Sequence, residues 1–211
     1  MYTLFGTQGS GSAAVEVALE AARAPYRLVR ASSWEPDSAL AELQRVNPLA
    51  QIPTLQCPDG SVLTESAAIL IHLGLAFPAT SLLPADAAQR SQAIRGLVFI
   101  AANCYSAVSI ADYPERWVAE IDDTSRARLV RGARAQLHRH WEIFADQFPA
   151  QPFFAGSQAP GALDFLTAVV SKWSGTRAHL KAARPDFLAT LKKIEAHPSM
   201  APVFVRHWPA E

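Results

Sequence analysis

An α/β domain followed by an all-α domain is the fold class that this sequence predicts. Three observations carry that prediction. The first 80 residues alternate β-prone runs with helical periodicity. A stretch with two prolines, PATSLLPA at 78–85, interrupts the pattern. Everything beyond it repeats at helical spacing. With 211 residues the chain has room for one large or two small domains, and half its residues are hydrophobic, including five Trp and ten Phe. That composition supplies a core and excludes intrinsic disorder.

Tyr2 to Phe5 reads as a first strand, and Gly6 to Ser12 (GTQGSGS) as a small-residue loop. Ser12 to Ala22 reads as a helix with Val15, Val17, Ala18 and Leu19 on its apolar side, ended by Pro25. Tyr26 to Arg30 is a second strand, and Ser38 to Val46 a short helix stopped by Asn47-Pro48. Pro53 to Gln56 and Val62-Leu63 flank the turn Pro58-Asp59-Gly60 and so form an antiparallel hairpin. A helix over 65–76 follows, with Thr64 as its expected N-cap. The first β-α-β requires a right-handed crossover and a parallel pair. The order β-α-β-α-β-β-α is that of a thioredoxin-like sheet. The expected division is 1–78 for this domain, 79–85 for a linker and 86–211 for a helical bundle. Its helices are predicted at 89–110, 124–148, 162–174, 185–196 and 199–206.

Charge and cysteine content narrow the function classes. Nineteen basic and nineteen acidic residues balance to zero, which argues against a nucleic-acid partner. Four basic and seven acidic residues precede position 81, so the two domains carry opposite net charge. Cys57 and Cys104 form no disulfide framework; Cys104 sits in an apolar run as a buried hydrophobe. The opening MYTLF lacks a basic segment before an apolar run, and no uninterrupted apolar stretch reaches about 18 residues. A cytoplasmic protein without a membrane partner is expected. His138 and His140 are two apart and point to different sides of a helix, so no metal is expected there. The arginines at 126, 128, 131, 134 and 139 read as a solvated helix face.

Three local features carry chemistry. In Gln51-Ile52-Pro53-Thr54-Leu55, proline stands at the start of a strand, where it is tolerated. A cis bond there would free the backbone N–H and C=O of Ile52 for a peptide ligand; a trans bond would make an ordinary edge strand. In Thr64-Glu65-Ser66, a carboxylate and a hydroxyl stand at a helix N-terminus, suited to an α-amino acid group: Glu65 for the ammonium, Ser66 and the helix end for the carboxylate. Plain N-capping explains the same residues. The loop Gly6 to Ser12 lacks both the Gly-Lys-Ser/Thr ending and the G-x-G-x-x-G spacing of phosphate loops. It leaves Ser10 and Ser12 at a helix start.

In Asn47-Pro48, Gln51-Ile52-Pro53-Thr54-Leu55 and Leu63 to Ile69, over an α/β domain joined to an all-α one, the chain resembles the cytosolic glutathione transferase family. The resemblance implies that Ile52, ahead of a cis Pro53 and beside Gln51, pairs with the cysteinyl backbone of glutathione. It implies that Glu65 and Ser66 hold the γ-glutamyl group. Members of the family carry a catalytic tyrosine, serine or cysteine at positions that correspond to Gly6, Gly9 and Gly11, all glycine here. The remaining candidates to stabilise the glutathione thiolate are Ser10, then Ser12, and Tyr105 of the segment Phe99 to Ser106, where Asn103 corresponds to a residue that reaches glutathione from a partner subunit. Tyr105, Tyr113 and Trp117 are expected to wall the electrophile pocket, with Trp34 and Gln44 or Arg45 toward the glycine end. Asp164 matches a buried structural aspartate, with Gly161 where a capping Ser or Thr is usual. The implied activity is attack of the glutathione thiolate on a small hydrophobic electrophile, or reduction of a peroxide, by a homodimer without metal. The alternative is a non-catalytic glutathione-binding or regulatory protein.

Overall fold

A computed structural model describes residues 1–209. Its N-terminal part is a four-stranded sheet in the order β2-β1-β3-β4. The strands are β1 (Tyr2–Gly6), β2 (Tyr26–Arg30), β3 (Thr54–Gln56) and β4 (Val62–Leu63). β1 and β2 are parallel, with Leu4 opposite Leu28; β3 runs antiparallel to both β1 and β4. This is the mixed sheet expected from the sequence. Helices α1 (Ser12–Ala21), α2 (Leu40–Val46) and α3 (Ser66–Ala76) complete the unit. α2 starts two residues later than expected because Ser38 is held outside it: its Oγ accepts from the Ser32 N–H at 3.1 Å and donates to the Ser32 carbonyl at 2.8 Å.

Every residue from Ser12 to Leu19 is buried, so α1 is covered on all sides. The sheet, α3 and the helical domain share that burial, and one hydrophobic core runs from Leu4 and Leu19 through to Trp141 and Phe165. A smaller core of Phe5, Val29, Ala31 and Leu43 fills the other face of the sheet. The proline-bearing stretch after α3 is not a loose tether. Leu82 and Leu83 are buried, and the Leu82 carbonyl accepts from the Ala162 N–H at 2.8 Å.

The helical domain consists of α4 (Ala87–Asp112), α5 (Asp123–Gln147), α6 (Ala162–Val170), α7 (Thr176–Ala183), α8 (Pro185–Glu195) and α9 (Ala201–His207). α4 and α5 start earlier than expected because Asp86 and Asp122 cap them, accepting from the N–H of Gln89 and Ser125 at 2.8 and 2.7 Å. By length and composition α4 is long and apolar enough to cross a membrane, although no uninterrupted apolar run in it reaches about 18 residues. Ala93, Leu97, Ile100, Cys104 and Val108 form its buried stripe at helical spacing. The sequence expectation of one helix over 162–174 is corrected: α6 stops at Val170, and after Gly175, at φ 77°, a separate helix α7 begins. Asp164 is structural, its carboxylate accepting from the N–H of Phe154 and Gly161 at 3.0 and 2.9 Å.

Candidate functional site

A cleft of about 510 Å³ opens between the C-terminal edge of β1, the N-terminus of α3 and helix α4. Three segments of the α/β domain line one wall: Gly9–Gly11, Ala50–Pro53 and Thr64–Ser66. The opposite wall is aromatic, from Tyr105, Tyr113, Trp117 and Trp173.

The middle segment is shaped by a buried polar network. Asn47 Nδ2 donates to the Gln51 carbonyl and to Thr54 Oγ1, at 3.1 and 2.9 Å, and Thr54 Oγ1 donates to the same carbonyl at 2.8 Å. These bonds fold Asn47 to Gln51 back on the start of β3, which begins at Thr54. The Ile52–Pro53 peptide is cis. Among the described residues the N–H and C=O of Ile52 have no hydrogen-bond partner, so a peptide-like ligand can pair with both.

α3 begins at Ser66, and no side chain caps it. Thr64, the expected cap, leaves that place to Glu65, whose backbone lies at φ 64° and ψ 112°. A non-glycine residue in that region costs about 1–3 kcal/mol and persists where the surroundings dictate it. The arrangement sets the first turn of α3 and the Glu65 carboxylate, unpaired among the described residues, along one cleft. It offers one site for an anion and one for a cation, side by side.

The loop after β1 shows why its glycines are there. A Cβ on Gly6 would collide with the Ser12 side chain, and a Cβ on Gly11 would collide with the Tyr105 hydroxyl. Gly9 is in the left-handed region at φ 72°. The phenol oxygen of Tyr105 therefore occupies the space that a side chain at position 11 would fill. The serines are committed inside the loop. Ser10 Oγ donates to the Thr7 carbonyl at 2.7 Å, accepts from the Ser12 N–H at 3.2 Å and lies 2.8 Å from Ser12 Oγ. Ser10 lines the cleft, whereas Ser12 is fully buried and does not. From the far side, Thr7 Oγ1 donates to Glu35 at 2.7 Å, and Arg30 pairs with the same carboxylate. Hydrogen bonds from Arg30, Thr7 and Ser32 hold the Glu35 carboxyl down at about 2.

Tyr105 is delivered by an irregularity. The turn Ile100–Tyr105 of α4 is π-helical, a wider turn that rotates the following residues relative to a regular α-helix. Burial pushes the Tyr105 phenol up to about 12, with the Glu65 charge adding to the rise, so it stays protonated at neutral pH. Ser66 Oγ is 3.5 Å away, too long for a strong bond, and the phenol proton remains available to a ligand. The Gly11 N–H, at the cap position of α1, also lacks a partner among the described residues. Both donors belong to residues that line the cleft, close enough that a Cβ on Gly11 would meet the Tyr105 hydroxyl.

Of the other expected residues, Tyr113 and Trp117 line the outer cleft, with the Arg116 guanidinium 3.9 Å from the Tyr113 ring centroid. Trp34 lines the opposite rim, and Gln44 and Arg45 do not line the cleft. Asn103 is also outside its own chain's cleft, its Nδ2 donating to the Phe99 carbonyl at 3.0 Å. Sequence reading missed Trp173 and Arg116. Trp173 stands just past the end of α6 and packs edge-on to Tyr105 at 5.7 Å, a contact without a local signal. No group of His, Cys, Asp and Glu among the described residues could hold a metal ion.

Residues 12–75 match the model of the glutathione S-transferase N-terminal domain. The chain is 33% identical over 159 residues to the uncharacterized GST-like protein YncG of Escherichia coli, covering 75% of each. Among solved structures, a glutathione transferase homologue from Sulfitobacter with bound glutathione superposes at a TM-score of 0.82, with 23% identity and 96% of both chains covered. A sphingomonad glutathione S-transferase complexed with glutathione gives 0.78, with 22% identity over 99% of this chain and all of the other. At these identities the structural likeness is one of fold.

Proposed function

The chain belongs to the glutathione S-transferase family, and on that premise we propose that it binds glutathione in this cleft and activates its thiol for attack on a small apolar electrophile. The observation that carries the proposal is the Tyr105 hydroxyl standing over Gly11, where a side chain from the loop would otherwise act.

Binding is supported by three matched elements. The γ-glutamyl ammonium meets Glu65. Its carboxylate meets Ser66 and the α3 N-terminus. The cysteinyl amide pairs with the free backbone of Ile52, beside Gln51 and Pro53. Glutathione-bound relatives of the same fold support the same ligand.

Activation requires lowering a thiol pKa of ~8.5. In the proposed mechanism the neutral Tyr105 hydroxyl and the Gly11 N–H both donate to the sulfur. They stabilise the thiolate over the thiol, and the released proton goes to solvent. The thiolate then forms a C–S bond as the electrophile's leaving group departs or its double bond takes up the electron pair. Ser10 and Ser12 support the loop from beneath, their hydroxyls being occupied. Tyr113 and Trp117 wall the electrophile. A homodimer, with Asn103 of one subunit near the glutathione of the other, completes the proposal.

A second reading, glutathione binding without turnover, is favoured by the absence of any side chain at positions 6, 9 and 11. One experiment separates the two: calorimetric titration with glutathione, followed by conjugation assays with haloaromatic and enone electrophiles and a hydroperoxide. Binding with turnover supports the enzyme, binding alone supports the second reading, and failure to bind overturns both.

A further inference from the structure

Gly9 is held at both of its backbone polar groups by side chains from the helical domain. Its N–H donates to His207 Nδ1 at 3.2 Å, and its carbonyl accepts from Trp173 Nε1–H at 3.3 Å. His207 ends α9 and is buried; its Nε2 lies 3.0 Å from Oε2 of Glu16, itself buried on α1. A backbone N–H only donates, so Nδ1 must carry the lone pair. The ring is therefore the Nε2–H tautomer, donating to Glu16. Burial opposes the Glu16 charge, but bonds from His207 and Arg206 outweigh it and hold the carboxyl below its usual range. Arg206 also pairs with Glu20, and its carbonyl accepts from Gln8 Nε2 at 3.0 Å.

This is more machinery than a loop needs merely to be covered. One residue, Ser10, separates Gly9 from Gly11, whose N–H and whose clearance from the Tyr105 hydroxyl define the sulfur site. The Trp173 ring that holds the Gly9 carbonyl also packs against Tyr105. A shift of Gly9 therefore moves one donor relative to the other.

We propose that His207 and Trp173 are positioning residues for the thiolate site: a clamp from the helical domain that fixes Gly9 and so sets the Gly11 N–H against the Tyr105 hydroxyl. The proposal rests on the reading of the cleft as a glutathione site, but its geometry is testable without glutathione. Three variants separate the two ends of the clamp. His207→Asn keeps an acceptor at the Nδ1 position; His207→Gln keeps a donor toward Glu16 but loses the acceptor for Gly9; Trp173→Phe keeps the ring and loses its N–H. The readouts are amide hydrogen exchange at Gly9, melting temperature, glutathione affinity, and kcat against KM.

For His207→Gln the clamp predicts Gly9 exchange and kcat each altered about tenfold, faster and slower respectively, as expected for one lost hydrogen bond, with glutathione affinity and melting temperature near wild type. His207→Asn restores both, and Trp173→Phe lowers kcat in the same direction. If His207→Gln exchanges Gly9 at the wild-type rate, or if both His207 variants lose activity in step with melting temperature, the clamp is wrong. If wild type fails to bind glutathione, the functional reading falls, and Gly9 exchange still decides whether the clamp exists.

Discussion

The two walls of the cleft are made of different material. The α/β wall works through backbone: the unpaired amide of Ile52, the first turn of α3 and the Gly11 N–H, with Glu65 as its one charged side chain. The helical wall works through side chains: the Tyr105 hydroxyl and the rings of Tyr113, Trp117 and Trp173. Backbone groups are fixed by the fold and tolerate sequence change, so that wall suits a constant ligand. Side chains change with single substitutions, so the other wall suits a ligand that differs between relatives. In the proposed mechanism the division has an added twist, because the hydroxyl that activates the sulfur comes from the wall of side chains.

The largest effect is expected where the walls meet. Tyr105→Phe removes the phenol donor, and Gly11→Ala forces a methyl group into its place; each should lower kcat/KM for conjugation about 10²-fold. The double variant should cost scarcely more than either single one, since both remove the same interaction. Full additivity in that cycle would break the link between the walls. Next comes the α/β wall alone. Glu65→Gln should weaken glutathione binding about ten- to a hundredfold, the magnitude of a charge-assisted hydrogen bond, with kcat at saturation little changed. A change confined to kcat, read from calorimetry beside kinetics, would contradict its assignment. On the helical wall, Trp117→Ala should raise KM for an aromatic electrophile about three- to tenfold and leave glutathione affinity alone.

The smallest effect is a pH dependence from the support beneath the loop. Glu35 is held at about 2 when folded, below its value in the unfolded chain. The stabilisation it gives is therefore present above about pH 4.5 and is lost as pH falls toward 2. Glu35→Gln should lower the melting temperature modestly at neutral pH, with the difference from wild type closing on acidification. A constant difference across that range would remove Glu35 from the loop's support.

The two walls also differ in how far their sequence reveals them. Gln51 to Leu55 and Thr64 to Ile69 are contiguous motifs whose local physics, a proline at a strand start and a carboxylate at a helix start, already points to a peptide-like ligand. Tyr105 was indicated by resemblance, yet its reach depends on the π-helical turn Ile100–Tyr105, which has no sequence signature. The reasons for Gly6 and Gly11 lie in Ser12 and Tyr105, visible only once the chain is folded. The serines show the converse. Ser10 and Ser12 read as donors because they are hydroxyls at a helix start, and the folded loop uses those hydroxyls internally. The break between α6 and α7 was missed because no glycine or proline stands between Val170 and Gly175, although both Ser174 and Gly175 turn the backbone left-handed.

The central claim is that a hydroxyl from the helical wall ionises a thiol bound by the α/β wall. Titrating the ultraviolet absorbance of the thiolate in the glutathione complex tests it directly. Losing a hydrogen bond to a charged sulfur should raise the apparent thiol pKa in Tyr105→Phe by about one to two units above wild type, with glutathione still bound. Identical titration curves for the two proteins would contradict the account.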